Sequence, residues 1–246
     1  MDDVVLYALA ADGVATITLN RPLARNALNM AMAEALAQAA RRASAEGARL
    51  VLLRAEGPVF GAGADLKERQ GMGDDAVRAR RVKGFAAYAA IEALPMPSIA
   101  VVEGPAVGSG VEMAAACDII LATPAASFRT PEALWGTVGA TQRLPRVLGK
   151  RLAKDLMFTG RVLSAEEALA HGLVARLVPA EGLEAALAEM TGAILKAPPA
   201  ALRLAKRCID EGVGLDPRGA LAAELLAIEE SLAAAEWKAR MAGFGR

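Results

Sequence analysis

A single histidine and two cysteines in 246 residues remove several familiar chemistries at the outset. His171, in Ala170-His171-Gly172, reads as a last-turn cation at a helix C-terminus, and a Ser–His–Asp triad would have to recruit it. One histidine and two widely separated cysteines do not make a zinc site. Cys117 and Cys208 fall in apolar or helix-like segments and read as buried free thiols of a reducing compartment. No apolar run approaches the ~20 residues that span a bilayer, and no charged stretch followed by an apolar one opens the chain. An excess of either charge is missing too. Lys plus Arg and Asp plus Glu both number 28, which removes the electrostatic case for nucleic acid or an anionic membrane surface. The expectation is a soluble, cytoplasmic protein with neither partner. There is no GxxxxGK(S/T) loop, neither Gly-rich loop fits GxGxxG, and Ser109 lacks the flanking glycines of a nucleophile elbow. Carboxylates and backbone amides are the tools that remain.

With 54% hydrophobic and 23% charged residues, the chain can bury a substantial core as one large domain, or one domain with an appendage. Residues 4–9 and 14–19 alternate around Asp12-Gly13 and predict a hairpin. Asn29 can cap a helix from Met30 to about Ala45, with Met32, Ala35, Leu36 and Ala39 on one face. Residues 50–54 read as a buried strand, 56–65 as a Gly-rich loop, and the polar segment 67–75 as a lid. An amphipathic helix over 76–94 stops at Pro95 and Pro97. After residue 135 come a turn into a helix near Arg143, a helix over 150–159, and a capping box at Ser164–Glu167 whose helix ends at Gly172. Residues 173–178 are strand-like, and the chain from Gly182 onward is helical. Strands alternating with helices to about residue 180, then a helical tail, argue α/β with a helical appendage.

The best site candidate spans residues 98–135. An apolar strand over 98–102 drops into a turn at Gly104, Gly108 and Gly110, then into a helix over 111–116 and a second strand over 118–122. Thr130 can cap a short helix that has Pro131 in its first turn. A strand feeding a Gly-rich turn and a helix collects free N–H groups and the positive end of a helix dipole at one spot. Glu112 and Glu132 stand beside it. Spacing alone leaves two readings open: Ser109-x-x-Glu112 as a capping box with Glu132 favouring a helix dipole, or the two glutamates as an acid–base pair.

Several segments match a family. Arg21-Pro22 with Asn26-Ala-Leu-Asn29, Phe60-Gly-Ala-Gly-Ala-Asp-Leu-Lys67, Gly104 through Glu112, Cys117-Asp118, Phe128 through Glu132, Thr141-Gln-Arg-Leu144 and Ser164 through Ala168 occur in its order. The chain resembles the crotonase superfamily, specifically the enoyl-CoA hydratase/isomerase proteins. The resemblance implies an α/β, crotonase-type spiral of ββα units over residues 1–190, carrying the acyl-CoA site. It also implies a C-terminal helical trimerisation region over 191–246, packed as a homotrimer or a dimer of trimers. It implies an acyl-CoA thioester substrate, with coenzyme A arriving as part of that substrate and no other cofactor or metal. Glu112 and Glu132 map to the catalytic positions, and the amides of Ala64 and Ser109 to an oxyanion hole. Arg25, Ala27, Ala62, Asp65, Leu66, Lys67 and Gly108 map to substrate contacts. Ser109 stands where the family usually has glycine, so a positive φ there would be strained. The segment 136–141 is shorter than the family's P-G-x-G-G-T loop, and Gly243–Arg246 ends short of its usual basic tail.

Overall fold

The computed structural model describes residues 3–233 and 237–238, so Gly243–Arg246 lies outside the described residues. One sheet holds β1 (Val5–Leu9), β2 (Val14–Leu19), β3 (Leu50–Ala55), β4 (Ser98–Val102), β6 (Ile119–Ala122) and β9 (Arg176–Leu177) as neighbours in that order. A second, narrower sheet holds β5 (Pro105–Val107), β7 (Ser127–Arg129) and β8 (Val162–Ser164). The hairpin forms as predicted, antiparallel with Val5 opposite Leu19, and the rest of the main sheet is parallel. Ala15, Ile17 and Leu19 are buried and their neighbours only partly so, as a one-sided strand requires. β4 is buried at every residue because both of its faces are covered.

The helices explain that covering. α1 (Met30–Ala45) and α3 (Asp74–Glu92) pack with Val51, Leu53, Ala100 and Val102 on one face of the sheet. The other face, with Leu50, Leu52, Ile99, Val101 and Leu121, lies under α7 (Leu183–Leu195). Asn29 caps α1 as expected, its side chain accepting from the Met32 amide at 2.9 Å.

The chain repeats one path. Each unit runs along a main-sheet strand, makes a short crossing within or beside the narrow sheet, and returns through a helix. After β2 the crossing is Leu28, after β3 it is Gly61 to Ala64, after β4 it is β5, and after β6 it is β7. Parallel pairings of Leu28 with Ala64, Gly61 with Ala106, and β5 with β7 stack these crossings. The remaining helices are α2 (Leu66–Arg69), α4 (Ser109–Ala115), α5 (Arg143–Thr159, kinked at Gly149), α6 (Ala165–Ala170), α8 (Pro199–Gly212) and α9 (Pro217–Ala233). Lys206 ties α8 to the core by pairing with Asp118, which also accepts from the Ser98 amide and hydroxyl at 2.7 and 2.9 Å. On α9 only Ala227 is buried, while Leu221, Leu225, Leu226 and Ile228 face outward.

Cys117 is buried as expected, but Cys208 is only half-buried, and three further expectations change. Asp118 stands before β6 rather than in it, its side chain occupied by those bonds. The strand expected over 173–178 shrinks to Arg176–Leu177, with Leu173 and Val174 buried as a connection. At Ser164 half of the capping box forms: its side chain accepts from the Glu167 amide, but the Glu167 carboxylate pairs with Arg161.

Candidate active site

A cavity of about 490 Å³ opens where three successive crossings meet α3. Asn26 joins the first two. It is fully buried, its Oδ1 accepting from the Arg21 amide at 2.8 Å, its Nδ2 donating to the carbonyls of Glu56 at 2.9 Å and Val59 at 2.8 Å. The Leu28 amide donates to Gly63 at 2.8 Å, and the Val107 amide to Gly61 at 2.7 Å. The second and third crossings touch where α4 begins. A Cβ on Gly110 would lie 2.4 Å from the Gly61 carbonyl oxygen, so no larger residue fits this backbone contact. The contact brings Ala64 and Ser109 to the same cavity wall, and among the described residues neither amide has a hydrogen-bond acceptor.

The left-handed conformation at this turn falls on Gly108, with φ +50° and ψ −109°, and Ser109 has no positive φ. The strain anticipated at Ser109 therefore does not arise. Gly108 is also the N-cap of α4 and no side chain caps it, so the Ser109–Glu112 capping box is not formed. Glu112 turns instead toward α5. Its buried carboxylate accepts from Arg143 Nη1 at 2.8 Å, and Arg143 Nη2 donates to Glu92 at 2.5 Å. The Arg143 guanidinium lies 5.7 Å from the ring centroid of buried Tyr88, whose hydroxyl burial pushes up to about 12.

Glu132 opens a 3-10 turn, Glu132–Trp135, that Thr130 does not cap; the Thr130 hydroxyl is buried without a partner among the described residues. The Glu132 carboxyl is wedged between two glycines. A Cβ on Gly108 would lie 2.6 Å from Oε1, and one on Gly139 would lie 3.0 Å from Cγ. Oε2 is buried without a hydrogen-bond partner among the described residues. Burial pushes this carboxyl above the usual glutamate range, its own backbone amide offsets part of the rise, and the charge of Glu112 adds to it. Two carboxylates thus share one cavity in unequal surroundings: Glu112 has a cation at hydrogen-bond distance, and Glu132 has none among the described residues.

Arg25, Ala62, Leu66 and Gly108 also line the cavity, Arg25 with φ +51°. Ala27, Asp65 and Lys67 do not. The Ala27 carbonyl accepts from Arg21; Asp65 pairs with Arg21 at 3.0 Å and caps α2 through the amides of Lys67 and Glu68; Lys67 is exposed on α2. The start of the expected lid is tied down, because Glu68 accepts from the Met30 amide at 2.9 Å and from Arg80 at 2.7 Å. Arg42 pairs with Glu46 on the surface, away from the cavity. Sequence reasoning passed over Arg143, although it lies inside the Thr141–Leu144 match. It also passed over Arg81, which donates to the Val138 carbonyl at 3.0 Å and to the Thr137 hydroxyl, fastening the short loop to α3. Ala140 in that loop is buried at φ +55°.

Comparison with known proteins identifies the family and the fold. The sequence model of the family described as enoyl-CoA hydratase/isomerase matches residues 10–245. Over 244 residues the chain is 40% identical to the Mus musculus protein named enoyl-CoA hydratase domain-containing protein 2, mitochondrial, covering 94% of this chain and 81% of that one. It is 34% identical over 217 residues to enoyl-CoA isomerase/hydratase fer4 of Mycosarcoma maydis, covering 83% and 79%. The crystal structure of an enoyl-CoA hydratase from Bacillus anthracis superposes with a TM-score of 0.88 at 37% identity, over 92% of this chain and 90% of that one. The stacked ββα path is therefore the crotonase fold, and the chain belongs to the enoyl-CoA hydratase/isomerase family.

Proposed function

We propose that the protein is an enoyl-CoA hydratase, adding water reversibly across the 2,3 double bond of a 2-enoyl-CoA thioester. The observation that carries this reading is the pair of unlike carboxylates, Glu112 and Glu132, beside two acceptor-free amides in one cavity. In the forward direction Glu112 takes a proton from water as the water oxygen bonds to the β-carbon. The electron pair of the double bond moves toward the thioester oxygen, which accepts from the amides of Ala64 and Ser109. Glu132, whose surroundings favour its protonated form, gives its proton to the α-carbon. Losing one oxyanion donor typically costs ~3 kcal/mol, or roughly 10²–10³ in rate.

The reading includes no cofactor beyond the coenzyme A carried by the substrate, with Arg25, Ala62, Leu66 and Gly108 along its path. Residues 191–246 act as the oligomerisation region, the outward leucines of α9 supporting a homotrimer or a dimer of trimers. No described helix is long and apolar enough to cross a membrane, and we assign the protein to the cytoplasm.

The test is loss of enoyl-thioester absorbance on adding crotonyl-CoA. Wild type should hydrate it, and Glu112→Gln and Glu132→Gln should each lose roughly 10²-fold or more, the usual range for a general acid or base. Unchanged rates in both variants refute the pair. A wild type that leaves crotonyl-CoA intact but moves the double bond of a 3-enoyl thioester is an isomerase instead.

A further inference from the structure

We infer that Arg143 is a positioning residue for Glu112, holding that carboxylate in one orientation at the cavity wall while Glu92 holds the arginine from its far edge. The inference rests on the hydratase reading. Arg143 is the first residue of α5, and its side chain is 12% exposed. Its two terminal nitrogens point to two different carboxylates, Glu112 on α4 at 2.8 Å and Glu92 at the end of α3 at 2.5 Å. Its Nε is buried without a partner among the described residues, where the guanidinium meets those two carboxylates and the face of Tyr88.

Energetics separate positioning from simple stabilisation. A buried ion pair contributes little net stability, because desolvation offsets most of the attraction. Orientation is different: a planar guanidinium fixes the direction of its donors, whereas a lysine ammonium is a point charge on a flexible stem. One fork between Glu92 and Glu112 therefore specifies where the Glu112 oxygens sit, and a proton-transfer group misplaced by ~1 Å can cost ~10²-fold. Glu132 has no comparable cation among the described residues and is packed between Gly108 and Gly139.

The experiment measures crotonyl-CoA hydration in Arg143→Lys and Arg143→Met, and in Arg143→Lys combined with Glu112→Gln. Arg143→Lys keeps the charge and loses the fork. Its kcat should fall ~10-fold or more while KM stays within ~3-fold, since orientation acts in the transition state. Added guanidinium ion, below denaturing concentration, should restore part of the Arg143→Met rate. The double variant should be no slower than Glu112→Gln alone, because residues that act as a unit are not additive. A lysine variant with wild-type kcat overturns the inference, as does a double variant whose loss is the product of the two singles. If Arg143→Met fails to fold, the lysine variant and the double variant decide alone. A wild type without hydratase activity overturns the proposed function itself, and the positioning role with it.

Discussion

Gly108→Ala should damage the proposed site through a single added methyl group. Gly108 has φ +50° and ψ −109°, a conformation that L-residues rarely adopt, and holding an alanine there costs of order 1–3 kcal/mol. The new Cβ would lie 2.6 Å from Glu132 Oε1 but 3.6 Å from the Gly63 Cα, so only the carboxyl must give way. A relaxed C···O contact needs about 3.3–3.6 Å, which pushes the carboxyl back by roughly 0.7–1 Å. Such a displacement of a proton donor corresponds to ~10²-fold in rate. The backbone strain, at about 2 kcal/mol, should lower Tm by roughly 4–8 °C in a chain of this size. Crotonyl-CoA hydration and a thermal melt measure the two effects separately. Adding Gly108→Ala to Glu132→Gln should reproduce the fall in Tm while costing far less rate than it does in wild type, because the methyl acts on catalysis through that carboxyl. A Gly108→Ala protein with wild-type kcat would refute the close packing of Glu132 against this turn, and one with wild-type Tm would refute the strain.

Two further outcomes follow from the same surroundings. Burial raises Glu132 in the folded state, so the folded chain binds that proton more tightly than the unfolded one, and wild-type stability falls as pH rises from the ordinary glutamate value through the folded one. Glu132→Gln removes this loss: its Tm advantage over wild type should widen across that pH window and then level off, and an advantage that shrinks with rising pH sinks the assignment. Asn26→Ala strands two carbonyls and one amide in the interior and leaves an alanine at φ +51°; at about 3 kcal/mol it should lower Tm by roughly 6–12 °C, and a shift under ~2 °C would show that the two loops are held together by other contacts.

What the chain revealed in advance was what its local chemistry decides. The hairpin at Asp12-Gly13 and the Asn29 cap of α1 depend on neighbours in sequence, and both stand as expected. β5, β7 and β8 escaped notice because three residues carry no period, and β5 begins with Pro105 inside what reads as a glycine turn. Thr130 has the side chain of a cap, but its hydroxyl is buried without a partner among the described residues. The capping-box reading of Ser109 and Glu112 had the right spacing and the wrong register, since the helix starts at Ser109 rather than after it. What separates Glu112 from a helix cap is Arg143, 31 residues away and brought near only by the fold. Ala27, Asp65 and Lys67, which map to substrate contacts with the motif around them, lie outside the cavity lining.

The repeating path also explains why a small number of ordinary residues can make a site. Neighbouring strands of a sheet lie about 4.8 Å apart, so equivalent loops of successive ββα units sit within one substrate's reach of each other. Ala64 comes from the unit that begins with β3, Ser109 and Glu112 from the unit that begins with β4, and Glu132 from the unit that begins with β6. Each unit supplies one loop to the same end of the spiral; the glycines at 61 and 110 let two of those loops close to backbone contact, and Gly108 leaves room for the Glu132 carboxyl. The narrow sheet matters for this reason. Beyond its own strands, the isolated bridges of Leu28 with Ala64 and Gly61 with Ala106 fasten each crossing to the next, and both amides and both carboxylates line one cavity. A methyl group at one of these contacts therefore acts on geometry that no single unit contains.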